Sequence, residues 1–269
     1  MSEPNDYIIE LQNVTKRFDG RAVLDGLTLP IRRGETMVIM GSSGCGKSTT
    51  LRLMIGDYAA DEGRVTMLGH DLATLNDDEM NAVRKKFGIL FQSGALLNSL
   101  TVGENIALPL REHTALDENV IQIMIKMKLE LVGLRDFEHL MPAQLSGGMK
   151  KRVGLARAIA LDPEILFYDE PTAGLDPIAT AVTDQLVIDL SKKLGVTSVV
   201  VTHDMASAFR IADRMAMLYR GKLIALGTPA EMRTSGDARI KQFVEGLADG
   251  PIPLRQSRKD YAADLLGEA

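Results

Sequence analysis

Five short apolar runs punctuate the chain: YIIELQ (7–12), TMVIM (36–40), FGILF (87–91), ILFYD (165–169) and SVVVTH (198–203). Each is bounded by glycines or charged residues, which marks a strand. Several are apolar at every position instead of alternating, as expected of strands covered on both faces in a parallel sheet. Between them, Lys47 to Ile55, Thr180 to Leu194 and Met205 to Ala212 repeat their apolar residues at the helical spacing. Strand alternating with helix predicts an α/β core. From about Ser99 to Ala160 the strand pattern stops. LDENVIQIMIKMKLELVGL and SGGMKKRVGLARAIAL are both helical in spacing, which predicts a helical subdomain at about 95–160 inserted into the core. Near the front, VTKRFDGRAVLDGLTLPIRRGE and EGRVTMLGHDL read as short strands and turns of a small antiparallel layer. After about Gly236 one more helix is expected, followed by an extended tail, DGPIPLRQSRKDYAADLLGEA. The division predicted is therefore 1–235 for the main domain and 236–269 for a C-terminal helix and tail.

Composition narrows the class without naming it. The 269 residues are 45% hydrophobic and 25% charged, an ordinary globular balance. Thirty-one basic against 36 acidic residues leave a net charge of −5, with no broad basic block. A nucleic-acid partner is disfavoured, since that binding rests on neutralising phosphates. No apolar run approaches the ~20 residues that span a bilayer, so any membrane attachment is expected through a partner. One cysteine permits no internal disulfide.

The candidate chemistry lies at the ends of the predicted strands. GSSGCGKS (41–48) stands directly after TMVIM and directly before a helical pattern. Glycines there let backbone N–H groups turn inward around phosphates, Lys47 can reach the β/γ oxygens, and Ser48 can ligate Mg²⁺. Asp169 closes ILFYD on a strand expected beside that of the phosphate loop, and Glu170 follows it. A carboxylate in the first position can hold Mg²⁺ through water, and one in the second can orient or deprotonate an attacking water. His203 ends SVVVTH, where an imidazole could bond a γ-phosphate, and Gln92 follows FGILF with an amide oxygen for metal or water. LSGGMKKR (145–152) is a second cradle: Ser146 can cap a helix while Gly147 and Gly148 offer N–H groups to an anion at the positive end of the helix dipole. Its basic run, Lys150 to Arg152, can either extend that cradle or face solvent.

In this order the motifs resemble the nucleotide-binding subunit of ABC transporters, from about Tyr7 to about Thr234. The resemblance implies an α/β fold with a P-loop (RecA-like) parallel-sheet core, an antiparallel β layer and the inserted helical subdomain. It implies an ATPase using ATP and Mg²⁺, with adenine stacked on Phe18 in place of a more usual tyrosine. The phosphates would be held by Gly41, Ser42, Ser43, Gly44, Cys45, Gly46, Lys47, Ser48 and Thr49. Ser48, Gln92 and Asp169 would hold the metal, Glu170 would be the base, and His203 and Gln92 would assist it. Ser146, Gly147, Gly148 and Asp176 would complete the ATP site of a second copy, so that two chains sandwich two nucleotides. Met149 stands where the family most often has glutamine.

Three further stretches, FQSGALLNSLTVGENIALPLREH, LVGL with LMPAQLSGGM, and FVEGLADGPIPL with DYAADLL, resemble the ATPase of Mla/Mce-type phospholipid transporters. That resemblance implies a homodimer bound at the cytoplasmic face of the inner membrane through an integral permease (MlaE-like). An Mce-domain lipid-binding protein (MlaD-like) and a possible STAS-domain regulator (MlaB-like) would belong to the same complex. Read from the residues, the apolar GALL and VGENIALPL after Gln92 could dock a permease helix or make internal contacts of the helical subdomain, and Tyr261, Leu265 and Leu266 in the tail could anchor on a neighbour or stay solvated. An importer for another cargo, or an ABC protein acting on nucleic acid, stays open at this level because the engine is shared.

Overall fold

The computed structural model describes residues 7–252, so Tyr261, Leu265 and Leu266 lie outside the described residues. The described residues open with two twelve-residue strands, β1 (Tyr7–Phe18) and β2 (Arg21–Arg32), paired antiparallel around the turn at Asp19 and Gly20. They are longer than the short strands predicted, and their register slips at several points between Tyr7 and Arg17. Such irregularities let a strand continue through the polar residues that interrupt its hydrophobic pattern. Strand β3 (Thr36–Gly41) follows and leads through the glycine-rich loop into helix α1 (Lys47–Met54). Next come β4 (Glu62–Met67), β5 (His70–Asp71), α2 (Asp77–Arg84) and β6 (Phe87–Leu90).

The predicted helical stretch holds α3 (Val102–His113), α4 (Glu118–Leu131) and α5 (Gly147–Ala158), with no strand among them. The core resumes with β7 (Ile165–Asp169), α6 (Pro177–Leu194), β8 (Thr197–Val201), α7 (Met205–Ile211), β9 (Arg214–Tyr219), β10 (Lys222–Gly227), α8 (Pro229–Arg233) and α9 (Ala238–Glu245). Strands β9 and β10 complete the sheet and are additional to the predicted elements.

Two sheets result. The antiparallel one has the order β2-β1-β4-β5, and the second runs β10-β9-β3-β8-β7-β6, parallel except for β10. Strict alternation along each parallel strand divides its side chains between two cores. Met37, Ile39, Phe167, Val199 and Val201 face the antiparallel sheet and α1, whereas Val38, Met40, Leu166, Tyr168 and Val200 face the helices on the other side. Burial on both faces explains the uninterrupted apolar runs. The sheet order also corrects one expectation: β8 lies between β3 and β7, so Asp169 and the phosphate loop are not on adjacent strands. Crossover connections let a strand late in the sequence insert between earlier ones.

Candidate active site

The phosphate loop, Gln92, the Asp169–Glu170 pair and His203 follow the C-terminal ends of parallel strands β3, β6, β7 and β8, the usual crevice for ligands in such sheets. The phosphate loop is held tightly by its own chain. Gly41 has φ +146°, and a Cβ there would lie 2.2 Å from the carbonyl oxygen of Leu218 and 2.7 Å from Cys45 Sγ. Gly46 has φ +110°, and its Cβ would meet Leu24 Cδ2 at 2.5 Å. These two glycines are thus fixed by close approach as well as by backbone conformation. Lys47 Nζ donates to the carbonyls of Gly41 (2.7 Å) and Ser42 (3.2 Å), so the ammonium arches back over the loop. Ser48 is exposed and Thr49 half-buried on the first turn of α1. Cys45 is buried beneath the loop, and that burial pushes its thiol pKa up.

Glu170 sits one residue beyond β7 with φ +49°, unusual for a side chain of its size. Its N–H donates to the carbonyl of Val201 (2.9 Å) at the end of neighbouring β8. Its Oε1 lies 2.9 Å from His203 Nδ1, and the His203 amide donates to Oε2 at 3.4 Å. The carboxylate side chain is only 14% exposed, whereas the imidazole is 69% exposed and free to meet a ligand. Asp169 ends β7 beside it, and burial, then the charge of Glu170, raises its pKa. Strands β7 and β8 end at Asp169 and Val201, and β6 at Leu90. His203 and Gln92 therefore stand two residues past their strands, His203 not inside one as predicted. Gln92 shares an open cleft with Phe91, Ser93, Asp169, Ala173 and Gly174.

Phe18, at the end of β1, is 39% exposed. Its ring packs T-shaped with Tyr58, with centroids 5.4 Å apart at 67°, and the Lys16 ammonium lies over it at 5.5 Å from the centroid. Asp176 caps α6 by accepting from the amides of Ile178 and Ala179. Those amide contacts, led by Ala179, hold its carboxyl below the usual range.

The second cradle opens α5. Ser146 Oγ accepts from the Met149 amide at 3.2 Å, forming the cap. A Cβ on Gly147 would meet nothing within 4 Å, and one on Gly148 would make only ordinary contacts with Leu175 and Ala179. Packing within this chain does not require glycine at either position. Met149 packs against the core of the helical side, where a thioether is suited to fill space. Two of the three basic residues, Lys151 and Arg152, are neither cradle nor solvated face. Lys151 is buried and donates to three carbonyls of the loop after β7, those of Glu170, Pro171 and Ala173. Arg152 donates to the carbonyls of Val132 and Gly133. Arg157, further along α5, donates to those of Gly94 and Ala95 in the loop carrying Gln92. Gly94 and Gly154 allow that loop to touch α5, for a Cβ on Gly154 would lie 2.8 Å from the Gly94 oxygen. Sequence reading missed all of these anchors; the only signal was a lysine on the side of α5 that its apolar neighbours bury.

Comparison with known proteins agrees with this geometry. A family model described as ABC transporter matches residues 24–173, more than half the chain. The intermembrane phospholipid transport system ATP-binding protein MlaF of Haemophilus influenzae is 42% identical over 97% of this chain and 99% of its own. A Mycobacterium leprae protein named "Probable ribonucleotide transport ATP-binding protein mkl" is 39% identical over 96% of this chain and 74% of its own. Among solved structures, an ATP-binding cassette in a dimeric post-hydrolysis state with ADP and Pi aligns with TM-score 0.75 and 34% identity, covering 82% of this chain and 98% of that one. The phosphate loop on β3, the acidic pair closing β7, the histidine after β8 and this family match together establish that the chain belongs to the ABC transporter family and is an ATPase of its cassette type.

Proposed function

We propose that this chain is the ATP-hydrolysing subunit of a transporter that moves phospholipid between inner and outer membranes. The cargo reading is supported by near end-to-end likeness to a phospholipid transport ATPase, and the catalytic reading by the pairing of Glu170 with His203. Glu170 is the base: its carboxylate is oriented by His203 and the adjacent amide, and can accept a proton from water attacking the γ-phosphate. His203 presents its outer ring nitrogen to that phosphate. The loop amides from Gly41 to Thr49 and Lys47 bind the β/γ oxygens, and Phe18 stacks on adenine.

No three His, Cys, Asp or Glu side chains converge on a metal position among the described residues. Ser48, Gln92 and Asp169 instead offer three oxygen donors carrying one charge. Such a set suits Mg²⁺, which keeps several waters and shares its shell with phosphates. When bound, that ion would neutralise charge on the phosphate oxygens.

Ser146, Gly147 and Gly148, with Asp176, serve the ATP of a second copy, which accounts for glycines that their own chain does not require. Two copies couple to an MlaE-like permease at the cytoplasmic face of the inner membrane. That complex includes an MlaD-like Mce protein and an MlaB-like regulator, and residues 236–269 contribute a partner contact. Among the described residues no helix is long and apolar enough to cross a membrane, which is consistent with attachment through a permease.

Glu170→Gln keeps the shape of the side chain and removes the base. Multiple turnover should stop while an ATP-bound dimer accumulates on size exclusion; continued turnover would refute the assignment. Purification of the complex from detergent-solubilised membranes should bring an Mce-domain protein and phospholipid. An amino-acid permease or nucleic acid in their place would overturn the cargo.

A further inference from the structure

Glu170 holds a backbone conformation that costs a non-glycine residue roughly 1–2 kcal/mol, and such a residue persists only where its surroundings over-determine it. Its N–H is fixed by Val201 and its carboxylate by His203. Its carbonyl is fixed from a different part of the fold. Lys151 Nζ reaches the carbonyls of Glu170 (3.3 Å), Pro171 (2.8 Å) and Ala173 (2.6 Å). An ammonium has three donors and no acceptor, so all three are satisfied on consecutive turns of one loop. The residue is 6% exposed. Burial lowers its pKa while the charge of Glu170 opposes that shift. A buried cation held only by backbone oxygens is costly in a core that could have used methionine or leucine there.

We propose that Lys151 is a positioning residue for hydrolysis: it holds the loop after β7 so that Glu170 keeps its left-handed backbone and aims its carboxylate at the attacking water. The inference rests on Glu170 being the base. It gives α5 two tasks, because Lys151 lies five residues, about 7.5 Å along the axis, from the Ser146 cap at the cradle for the partner's nucleotide. On the same helix Arg157 anchors the loop of Gln92. A shift of α5 on docking would therefore reach the base and the glutamine together.

The test uses the full-length protein in steady-state ATPase assays with three variants. Lys151→Met fills a similar space with no donor, Lys151→Arg restores charge and donors, and Glu170→Gln controls for the base. The expected result for Lys151→Met is a kcat lower by roughly 10- to 100-fold, the scale of an ångström-level misplacement, with KM for ATP changed less than about threefold. Lys151→Arg should recover at least part of the lost kcat. A Lys151→Met enzyme within about threefold of the parent kcat, or one whose kcat loss is not eased by Lys151→Arg, would overturn the proposal. If Lys151→Met does not fold, Lys151→Gln keeps two donors and takes its place; parent-level kcat with fewer donors would equally overturn it. Turnover by Glu170→Gln would instead remove the underlying assignment and leave Lys151 as a packing feature.

Discussion

Gly147→Ala separates an intrachain role of the LSGG glycines from an interchain one. The added methyl meets nothing within 4 Å in this chain, and Gly147 is absent from the positive-φ positions. No steric or backbone cost is therefore expected on folding. Position 147 opens α5, so the substitution gains up to about 1 kcal/mol of helix propensity. For a chain of this size that raises Tm by no more than about 2–4 °C. The effect on activity has the opposite sign. If the Gly147 amide bonds the γ-phosphate of the partner's ATP, a methyl on the open side keeps the oxyanion away. A hydrogen bond to a charged group contributes roughly 1.5–3 kcal/mol, so ATPase activity should fall by about 10- to 150-fold. In the Glu170→Gln background the trapped dimer should be lost while nucleotide binding by the monomer persists. Thermal melting, steady-state ATPase and size exclusion with ATP read the three quantities. Parent activity together with a trapped dimer would refute the trans site; a Tm drop of several degrees would refute the intrachain reasoning.

Gly41→Ala is the converse. Its Cβ would press against a backbone oxygen at 2.2 Å on the neighbouring strand, an overpacking cost of about 1–3 kcal/mol. Melting should show the loss in the monomer, along with weakened ATP binding; an unchanged Tm would contradict the close approach. Cys45 is buried with its thiol pKa raised, so iodoacetamide at neutral pH should modify it far more slowly than an unfolded-chain thiol. Full ATPase activity after complete modification, verified by mass, would contradict its place under the phosphate loop. Asp184 is buried on α6 and accepts from Ser207 and half-exposed Arg210. Asp184→Ala leaves the buried Ser207 hydroxyl without its acceptor, which should cost about 1–3 kcal/mol and lower Tm by roughly 2–12 °C; an unchanged Tm would contradict the buried bond.

The parts legible in sequence were those where a local physical requirement leaves its own mark. β3, β7 and β8 are covered on both faces, so their apolar runs are unbroken and easily found. The glycine-rich loop is legible because its glycines and the following Lys47 and Ser48 stand at set intervals between a strand and a helix. β9 and β10 escaped notice because RMAMLY carries an arginine at its first position and KLIALG, at the sheet edge, is only half-buried along most of its length. The front strands were read too short because their register irregularities, which let polar VTKRF stay in the sheet, depend on β2 and β4.

By itself the sequence determined the alternating α/β order, the helical insertion and where the glycine-rich loop and the acidic pair stand relative to their strands, because each follows from residue spacing within a few turns or one strand. Tertiary structure alone decided which motifs meet. Inserting β8 between β3 and β7 sets His203 against Glu170 across 33 positions of chain. Folding α5 over the loop after β7 turns Lys151 from an apparent solvated cation into a buried anchor. Side-chain donors bond whatever carbonyls the packing brings within about 3 Å, and that neighbourhood is a property of the folded chain, not of its local pattern.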